Sequence, residues 1–247
     1  MTLIAMAVFD TVENKRSEFT KKALASVSET VDLHKHRFFI IDNASCEESK
    51  AIINSFKNAN NCQIITNATN VGVAKAINLA WKLRNPEEHL IKIDNDVVIH
   101  SDTWVEQLEE AIERDPEIGI IGLKRKDYPS QFAVRSLDHF KGQRWIVVED
   151  AQEIIGTCKM TNYKLIDKIG GLCQPSIWGY EDILASLRCK LAGFKNCYLP
   201  TIDIDHIDSN DGAYRREKEA IGNAMIPEYQ RLALGMTDGT IPLYIEM

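Results

Sequence analysis

The chain has no apolar run near the roughly 18–20 residues needed to cross a bilayer, so it offers no candidate transmembrane helix. It has no basic leader either. Met1 to Phe9 runs directly into Asp10, which predicts a strand and not a signal peptide. Its six cysteines (46, 62, 158, 173, 189 and 197) contain no Cys-x-x-Cys pair, which argues against structural zinc. Nothing calls for an oxidising compartment, so free buried thiols in a reducing cytoplasm are expected, with peripheral attachment at the inner membrane face left open. Positive charge is also in short supply. The net charge of −7 disfavours a general nucleic-acid binder while leaving room for a local basic patch. Repeats and low-complexity segments are absent.

What remains is an ordinary globular composition, 45% hydrophobic and 26% charged over 247 residues, enough for one large domain with a substantial core and a short appendage. The first half alternates between two periodicities. Apolar strands are predicted at Leu3–Phe9, Phe38–Ile41, Gln63–Ile65 and His89–Ile93. Between them fall helical patterns over 15–31, around Ile52, Ile53 and Phe56, and from Val73 to Trp81. Such repeated strand–helix units imply an α/β fold with a mostly parallel central sheet flanked by helices, where ligands collect beyond the carboxyl ends of the strands. Asp42 and Asp94 both fall at such ends. Thr103-x-x-Glu106 predicts a capping box for the next helix, which Asp115-Pro116 stops. From Gln131 to Met160 the pattern turns to alternation, with Lys141-Gly142 as a turn signal, predicting a small antiparallel ribbon. Helices over 162–168 and 182–191 end at Gly170-Gly171 and Ala192-Gly193. A strand from Ile202 to Asp205 then delivers His206. Ser209 to Gly212 reads as loop, and 214–247 as a helical extension containing Pro227 and Pro242.

Five features are candidates to carry chemistry. Asp94-Asn95-Asp96 follows an apolar strand, and alternate residues of an extended chain point the same way, so Asp94 and Asp96 can reach one cation or one polyphosphate. Oxygen ligands suit Mg²⁺ or Mn²⁺. The stretch is no EF-hand loop, because the required glycine and terminal glutamate are missing. A surface turn is the plainer account of the tripeptide alone. Trp178-Gly179-Tyr180-Glu181-Asp182 opens a helix; the acids could merely satisfy the free N–H groups there, or one could act as a general base beside aromatic faces suited to a sugar ring. Trp178 and Tyr180 could equally be core. His206 alone would be structural, but an acid pair in need of further ligands makes it a candidate third one, and imidazole favours Mn²⁺. Arg215 and Arg216 are either solvated helix residues or contacts for a diphosphate. The N–H groups of Asn70 to Lys75 either just start a helix or face a phosphate or base.

Taken together, residues 2–208 resemble the inverting GT-A glycosyltransferases of the family 2 type. Asn14-Lys15 followed by Phe19, Leu24 and Ser26 is similar to the family's Asn-Arg-x-x-x-Leu opening, with lysine in place of arginine. Ile41-Asp42-Asn43-Ala44-Ser45 resembles the segment whose aspartate contacts the nucleotide base. Asn70-x-Gly72 with Ala74-x-Ala76-x-Asn78 resembles the donor-side helix, though Ile77 stands where many members carry arginine. Asp94-Asn95-Asp96 resembles the DxD motif. Gly156 to Met160 through Gly170-Gly171-Leu172 is similar to the donor-sugar strand and its following helix. Trp178 to Asp182, with Arg188 beyond, resembles the ED motif, whose second acid is the usual base. His206, 24 residues past Asp182, is placed like the metal-binding histidine of bacterial galactofuranosyltransferases.

The resemblance implies a GT-A domain over 1–213, with a nucleotide-binding half (1–100) and an acceptor half (101–213), followed by the extension 214–247. It implies Mn²⁺ or Mg²⁺ on Asp94, Asp96 and His206, and a donor site from Phe9, Asp10, Lys15, Asp42, Asn70, Gly72, Lys75, Asp94 and Asn95. Trp178, Tyr180 and Glu181 would meet the acceptor, and Asp182 would be the general base. The donor would be a nucleoside-diphosphate sugar, by family habit UDP-linked, and the acceptor a glycan or lipid-linked hydroxyl. Three alternatives stand beside this. Nucleotidyl transfer is disfavoured because Phe9-Asp10-Thr11-Val12-Glu13 is not the glycine- and arginine-rich loop it needs. A nucleotide-sugar-binding module without activity would not need Asp94, Asp96, Asp182 and His206 together. A modified nucleic-acid base as acceptor is allowed by size but not favoured by charge. The extension could cover the acceptor site or pair two chains into a homodimer.

Overall fold

The computed structural model describes residues 1–128, 133–137, 144–208 and 213–247. The expected alternation fills its first half: β1 (Thr2–Val8), α1 (Ser17–Thr30), β2 (Arg37–Asp42), α2 (Glu47–Ala59), β3 (Cys62–Thr66), α3 (Val73–Trp81) and β4 (His89–Asp94). β1 runs parallel between β2 and β4, and β3 adds parallel to β2. Side chains alternate across β1, so Ile4 and Met6 join one apolar layer with α1 residues Leu24 and Val27, while Leu3 and Ala5 join the other with Ile77 and Trp81 of α3. A strand covered on both faces has no solvent side, which is why β1 reads as a continuous apolar run.

The second half comprises β5 (Val97–Ile99), α4 (Trp104–Arg114), β6 (Ile118–Arg125), β7 (Val134–Ser136), β8 (Val147–Ala151), β9 (Cys158–Thr161), α5 (Tyr163–Ile169), α6 (Glu181–Leu191), β10 (Lys195–His206), α7 (Ala213–Ala224) and α8 (Ile226–Asp238). The strand order is β3-β2-β1-β4-β9-β6-β10-β8-β7, with β5 on β10. β9 lies antiparallel between β4 and β6, so the sheet is parallel from β3 to β4 and mixed beyond. The predicted ribbon is the β7–β8 hairpin; Lys141-Gly142 and the 209–212 loop lie outside the described residues.

One local expectation fails. Thr103 stands at the N-cap of α4 with ψ 14° and makes no side-chain cap bond. A hydroxyl reaches the first-turn N–H groups from an extended cap residue, not from this one. Thr103 Oγ1 instead accepts from the Gln107 side chain, and Glu106 is drawn to Lys35 at 3.0 Å.

The chain's last residues are strapped to the body. Ile245 sits beside Gly170, its N–H donating to Ile169 O and its carbonyl accepting from Gly171 N–H, both at 2.8 Å. Gly170 has φ +69°, and a Cβ there would lie 1.9 Å from Ile245 O, so only glycine admits this contact. Arg188, wholly buried, donates to the carbonyls of Gly171 and Leu243 at 2.7 Å each, binding the strap to the end of α5. Arg188 is thereby a clamp on the extension.

His89 opens β4 with Nδ1 accepting the N–H of Tyr163, the first residue of α5. Burial holds this imidazole down, to about 4. Because the unfolded chain takes up the proton first, near 6.5, the stabilisation is complete above that pH and is lost as pH falls towards 4. Urea unfolding should show about 2 kcal/mol less stability at pH 5 than at pH 7 from this group, and His89→Gln should remove that part of the slope. An unchanged slope in the variant would dismiss the account.

Candidate active site

β4 carries Lys92 and Asp94 on one face, and the cross-strand partner of Lys92 on β9 is Lys159. Lys92 has a side chain 1% exposed and its Nζ lies 2.7 Å from Asp94 Oδ1, 2.7 Å from Gly156 O and 3.3 Å from Glu181 Oε1. Burial works against this ammonium, but Asp94 and Glu181 outweigh it and raise its pKa above the ordinary lysine value. Lys159 is also fully buried, and its Nζ has no hydrogen-bond partner among the described residues; burial lowers its pKa. Asp182, next to Glu181, accepts from Gly156 N–H at 3.1 Å and from Ile183 N–H at 2.9 Å. Two backbone donors fix its carboxylate at the mouth of the cluster.

Asp96 is brought to His206 by strand pairing. β5 begins one residue after Asp96 and lies antiparallel to the end of β10, with Val97 opposite His206, and Ile207 N–H donates to Asp96 O at 2.9 Å. His206 Nε2 therefore lies 3.5 Å from Asp96 Oδ2. Arg16, 4% exposed, bridges Asp96 Oδ2 and Asp208 Oδ2.

These groups converge on a cleft of ≈ 300 Å³ beyond the ends of β1, β2 and β4. Of the residues singled out in the sequence, Phe9, Asn70, Asp94, Asn95, Asp96, Trp178, Glu181 and Asp182 line it, and His206 adjoins it through Asp96. The others lie elsewhere. Asp10 is wholly buried, its oxygens taken by Thr20, Ser49 and Asn95 at 2.6–2.9 Å, and burial raises its pKa against those bonds. It anchors the Asp-Asn-Asp turn from below. Asp42 Oδ1 accepts from Ser45 N–H at 2.8 Å. Gly72 is buried with φ +85°, and a Cβ there would meet Ile177 Cα at 2.9 Å. Lys75 is exposed on α3. The N–H groups that begin α3 are occupied by side chains: Val71 by Asn43, Gly72 by Asn70 and Ala74 by Gln174. Tyr180 stacks on Tyr229 with centroids 4.6 Å apart and donates to Gly222 O, facing the extension. Arg215 pairs with Glu219 at 2.7 Å and, like Arg216, is exposed.

Four further polar or charged residues line the cleft: Arg16, Asn43, Lys92 and Lys218. Lys92 had a signal, a lone lysine between isoleucines two places before the acid. Arg16 is adjacent to Lys15, and the turn decides between them: Lys15 takes φ +54° and is exposed, so its neighbour goes inward. Lys218 lies 4.9 Å over the Trp178 ring, and burial lowers its pKa.

Among the described residues no three His, Cys, Asp or Glu side chains form a metal cage. The cleft still fits a hard cation. Asp96 Oδ1 and His206 Nδ1 are buried without hydrogen-bond partners, and such ions commonly take one or two protein ligands and complete their shell from substrate phosphates and water. An imidazole beside a carboxylate favours Mn²⁺.

Replacing Lys92 by Met leaves buried acids without their cation. Chemical denaturation should show a loss of about 3–5 kcal/mol, and adding Glu181→Gln should return part of it. A Lys92→Met protein within about 1 kcal/mol of wild type would show that the ammonium is not holding the acids.

No helix among the described residues is long and apolar enough to cross a membrane. No curated protein sequence matches the chain significantly. Solved structures with a similar fold include the mannosyltransferase PcManGT of Pyrobaculum calidifontis in complex with GDP-Man and Mn²⁺ (12% identity, TM-score 0.67, 87% of this chain on 59% of that one). S. aureus TarS 1-349 in complex with UDP-GlcNAc (17%, 0.59, 86% on 62%) and GalNAc-T7 with UDP, GalNAc and Mn²⁺ (16%, 0.63, 83% on 44%) are also similar. The chain thus spans under two thirds of each of these relatives. The glycosyl transferase family 2 profile matches residues 11–179, more than half of the sequence. With a GT-A sheet and the strand-tip acids opening on one cleft, the chain belongs to glycosyl transferase family 2.

Proposed function

We propose that this chain is a metal-dependent inverting glycosyltransferase that moves a sugar from a nucleoside-diphosphate sugar, UDP-linked by preference, to a hydroxyl of a glycan or lipid-linked acceptor. The observation that carries this reading is the convergence, in one cleft, of the strand-tip acids Asp94 and Asp96, the helix-opening acids Glu181 and Asp182, and the cations Arg16 and Lys218. The catalytic body spans 1–213, and the extension 214–247 contributes Lys218 in place of Arg215 and Arg216.

Asn43 and Asn70, joined at 2.7 Å, frame the nucleoside end. Arg16 and Lys218 face the diphosphate, where a guanidinium can engage phosphate oxygens bidentately. Asp96 and His206, with Asp94 nearby, would hold the ion, and a divalent ion there would supply Lewis-acid neutralisation of the diphosphate, worth several kcal/mol. Glu181 is committed to Lys92, whereas no cation among the described residues pairs with Asp182, so Asp182 is the base. It takes the proton of the acceptor hydroxyl as that oxygen bonds to the anomeric carbon. The carbon–phosphate oxygen bond breaks on the opposite face, its electron pair leaves with the nucleoside diphosphate, and the configuration inverts. Trp178 and the exposed Ile177 give the mouth of the cleft a flat apolar wall for a sugar ring.

Asp182→Asn should lower kcat by about 10²–10⁴-fold and leave donor affinity nearly unchanged; full turnover in the variant would remove Asp182 from the mechanism. In thermal-shift titrations with UDP-, GDP- and dTDP-sugars plus Mn²⁺, the true donor at 100 times its Kd should add about 2.7 kcal/mol of apparent stability. A response to none of them, with or without Mn²⁺, would sink the donor assignment.

A further inference from the structure

Arg16 holds a carboxylate that an incoming metal ion also needs. Its guanidinium reaches Asp96 Oδ2, the oxygen nearest His206, and spans to Asp208. Its backbone is set by the turn before α1, where Arg16 N–H donates to Asn14 Oδ1 at 3.2 Å and Thr11 and Asn14 bond to each other. The Cα is therefore fixed, while the long side chain, which packs with its guanidinium carbon 5.3 Å over the Phe19 ring, can change partner without moving the fold.

With the guanidinium in place the Asp96 carboxylate is already neutralised, and a divalent ion brought against it meets a like charge in a partly buried, weakly screened site. A diphosphate changes this. It presents two phosphates to the cleft that Arg16 lines, and phosphate oxygens match the guanidinium fork as well as a carboxylate does. The same anion supplies the ligands that two protein groups cannot provide.

We infer that Arg16 is a resident counter-cation of Asp96 that makes metal capture depend on nucleotide: it occupies the seat while the cleft is empty and transfers to the diphosphate when the donor enters, opening Asp96 to the ion. This rests on the proposed metal seat at Asp96 and His206. Coupling of this kind is reciprocal, so the ion strengthens nucleotide binding by the factor that the nucleotide strengthens ion binding.

The test is a Mn²⁺ titration of the full chain, followed by the electron paramagnetic resonance signal of the free ion, without nucleotide and with UDP or GDP. Arg16→Gln should bind Mn²⁺ without nucleotide at least about fivefold more tightly than wild type, and its gain from nucleotide should shrink correspondingly. Arg16→Lys keeps a charge but lacks the planar fork that spans Asp96 and Asp208; it should shift the same way by less, and it serves if Arg16→Gln fails to fold. Unchanged or weaker nucleotide-free binding in the folded variants, alongside loss of Mn²⁺ binding in Asp96→Asn, overturns the role of Arg16 and leaves the metal seat standing. Full Mn²⁺ binding by Asp96→Asn removes the seat and the inference together.

Discussion

A single buried ammonium joins the sheet to the chemistry. Lys92 projects from the middle of β4 and binds, within 3.3 Å, a strand-tip acid, a carbonyl of the loop before β9 and an acid of α6. Those three partners, at residues 94, 156 and 181, meet at this one ammonium. Buried acids brought this close repel one another strongly in a medium of low effective dielectric. The cation turns that repulsion into a geometric constraint. It also separates two neighbouring acids chemically: Glu181 is tied down by charge, whereas Asp182 is oriented by backbone N–H groups and faces the cleft.

A second constraint works through pairing register. β5 is only three residues long, yet it lies opposite the end of β10 with Val97 against His206. A one-residue slip would turn the imidazole to the other side of the strand. The bulge of β10 between Leu199 and Asp203 sits just before this segment, so the strand first serves the parallel sheet with β6 and then bends to meet β5. The extension is fastened independently, by Arg188 and the glycine contact at Ile245. That strap, with the stacking of Tyr180 on Tyr229, sets the path that leads Lys218 over Trp178.

The parallel half of the fold was legible because its signal is periodicity, and strands such as Leu3–Val8 are apolar on both faces. That Asp94, Asp96 and Asp182 share one cleft was legible because they interrupt such patterns abruptly at strand or helix ends. Side chains chosen by loop geometry were not. Lys15 and Arg16 are equivalent as letters, and the positive φ at Lys15 selects between them. Asp42 and Asp10 fit a donor contact by position, but Thr20, Ser49 and Asn95 take both oxygens of Asp10 and Ser45 N–H takes one oxygen of Asp42. Asn43, adjacent to Asp42 and therefore on the opposite face, enters the cleft instead. Tyr180 and Trp178 look alike as aromatic neighbours of an acid pair, yet the φ of +68° at Tyr180 turns it towards α8.

The charge of the cleft connects these elements. Its walls carry four acids, Asp94, Asp96, Glu181 and Asp182, against three cations, Arg16, Lys92 and Lys218. Lys92 is spent on the acids beneath it, which leaves the upper cleft with Arg16 and Lys218 opposite Asp96 and Asp182. A surface so nearly balanced has little net attraction for a polyanion on its own. A divalent ion entering with the anion would tip the balance, since it adds positive charge where Asp96 and His206 already have unclaimed buried atoms. Binding of the two together would then be favoured over binding of either alone, and a site built this way selects for an anion able to bridge a metal and a guanidinium at once, which a diphosphate does and a neutral sugar does not.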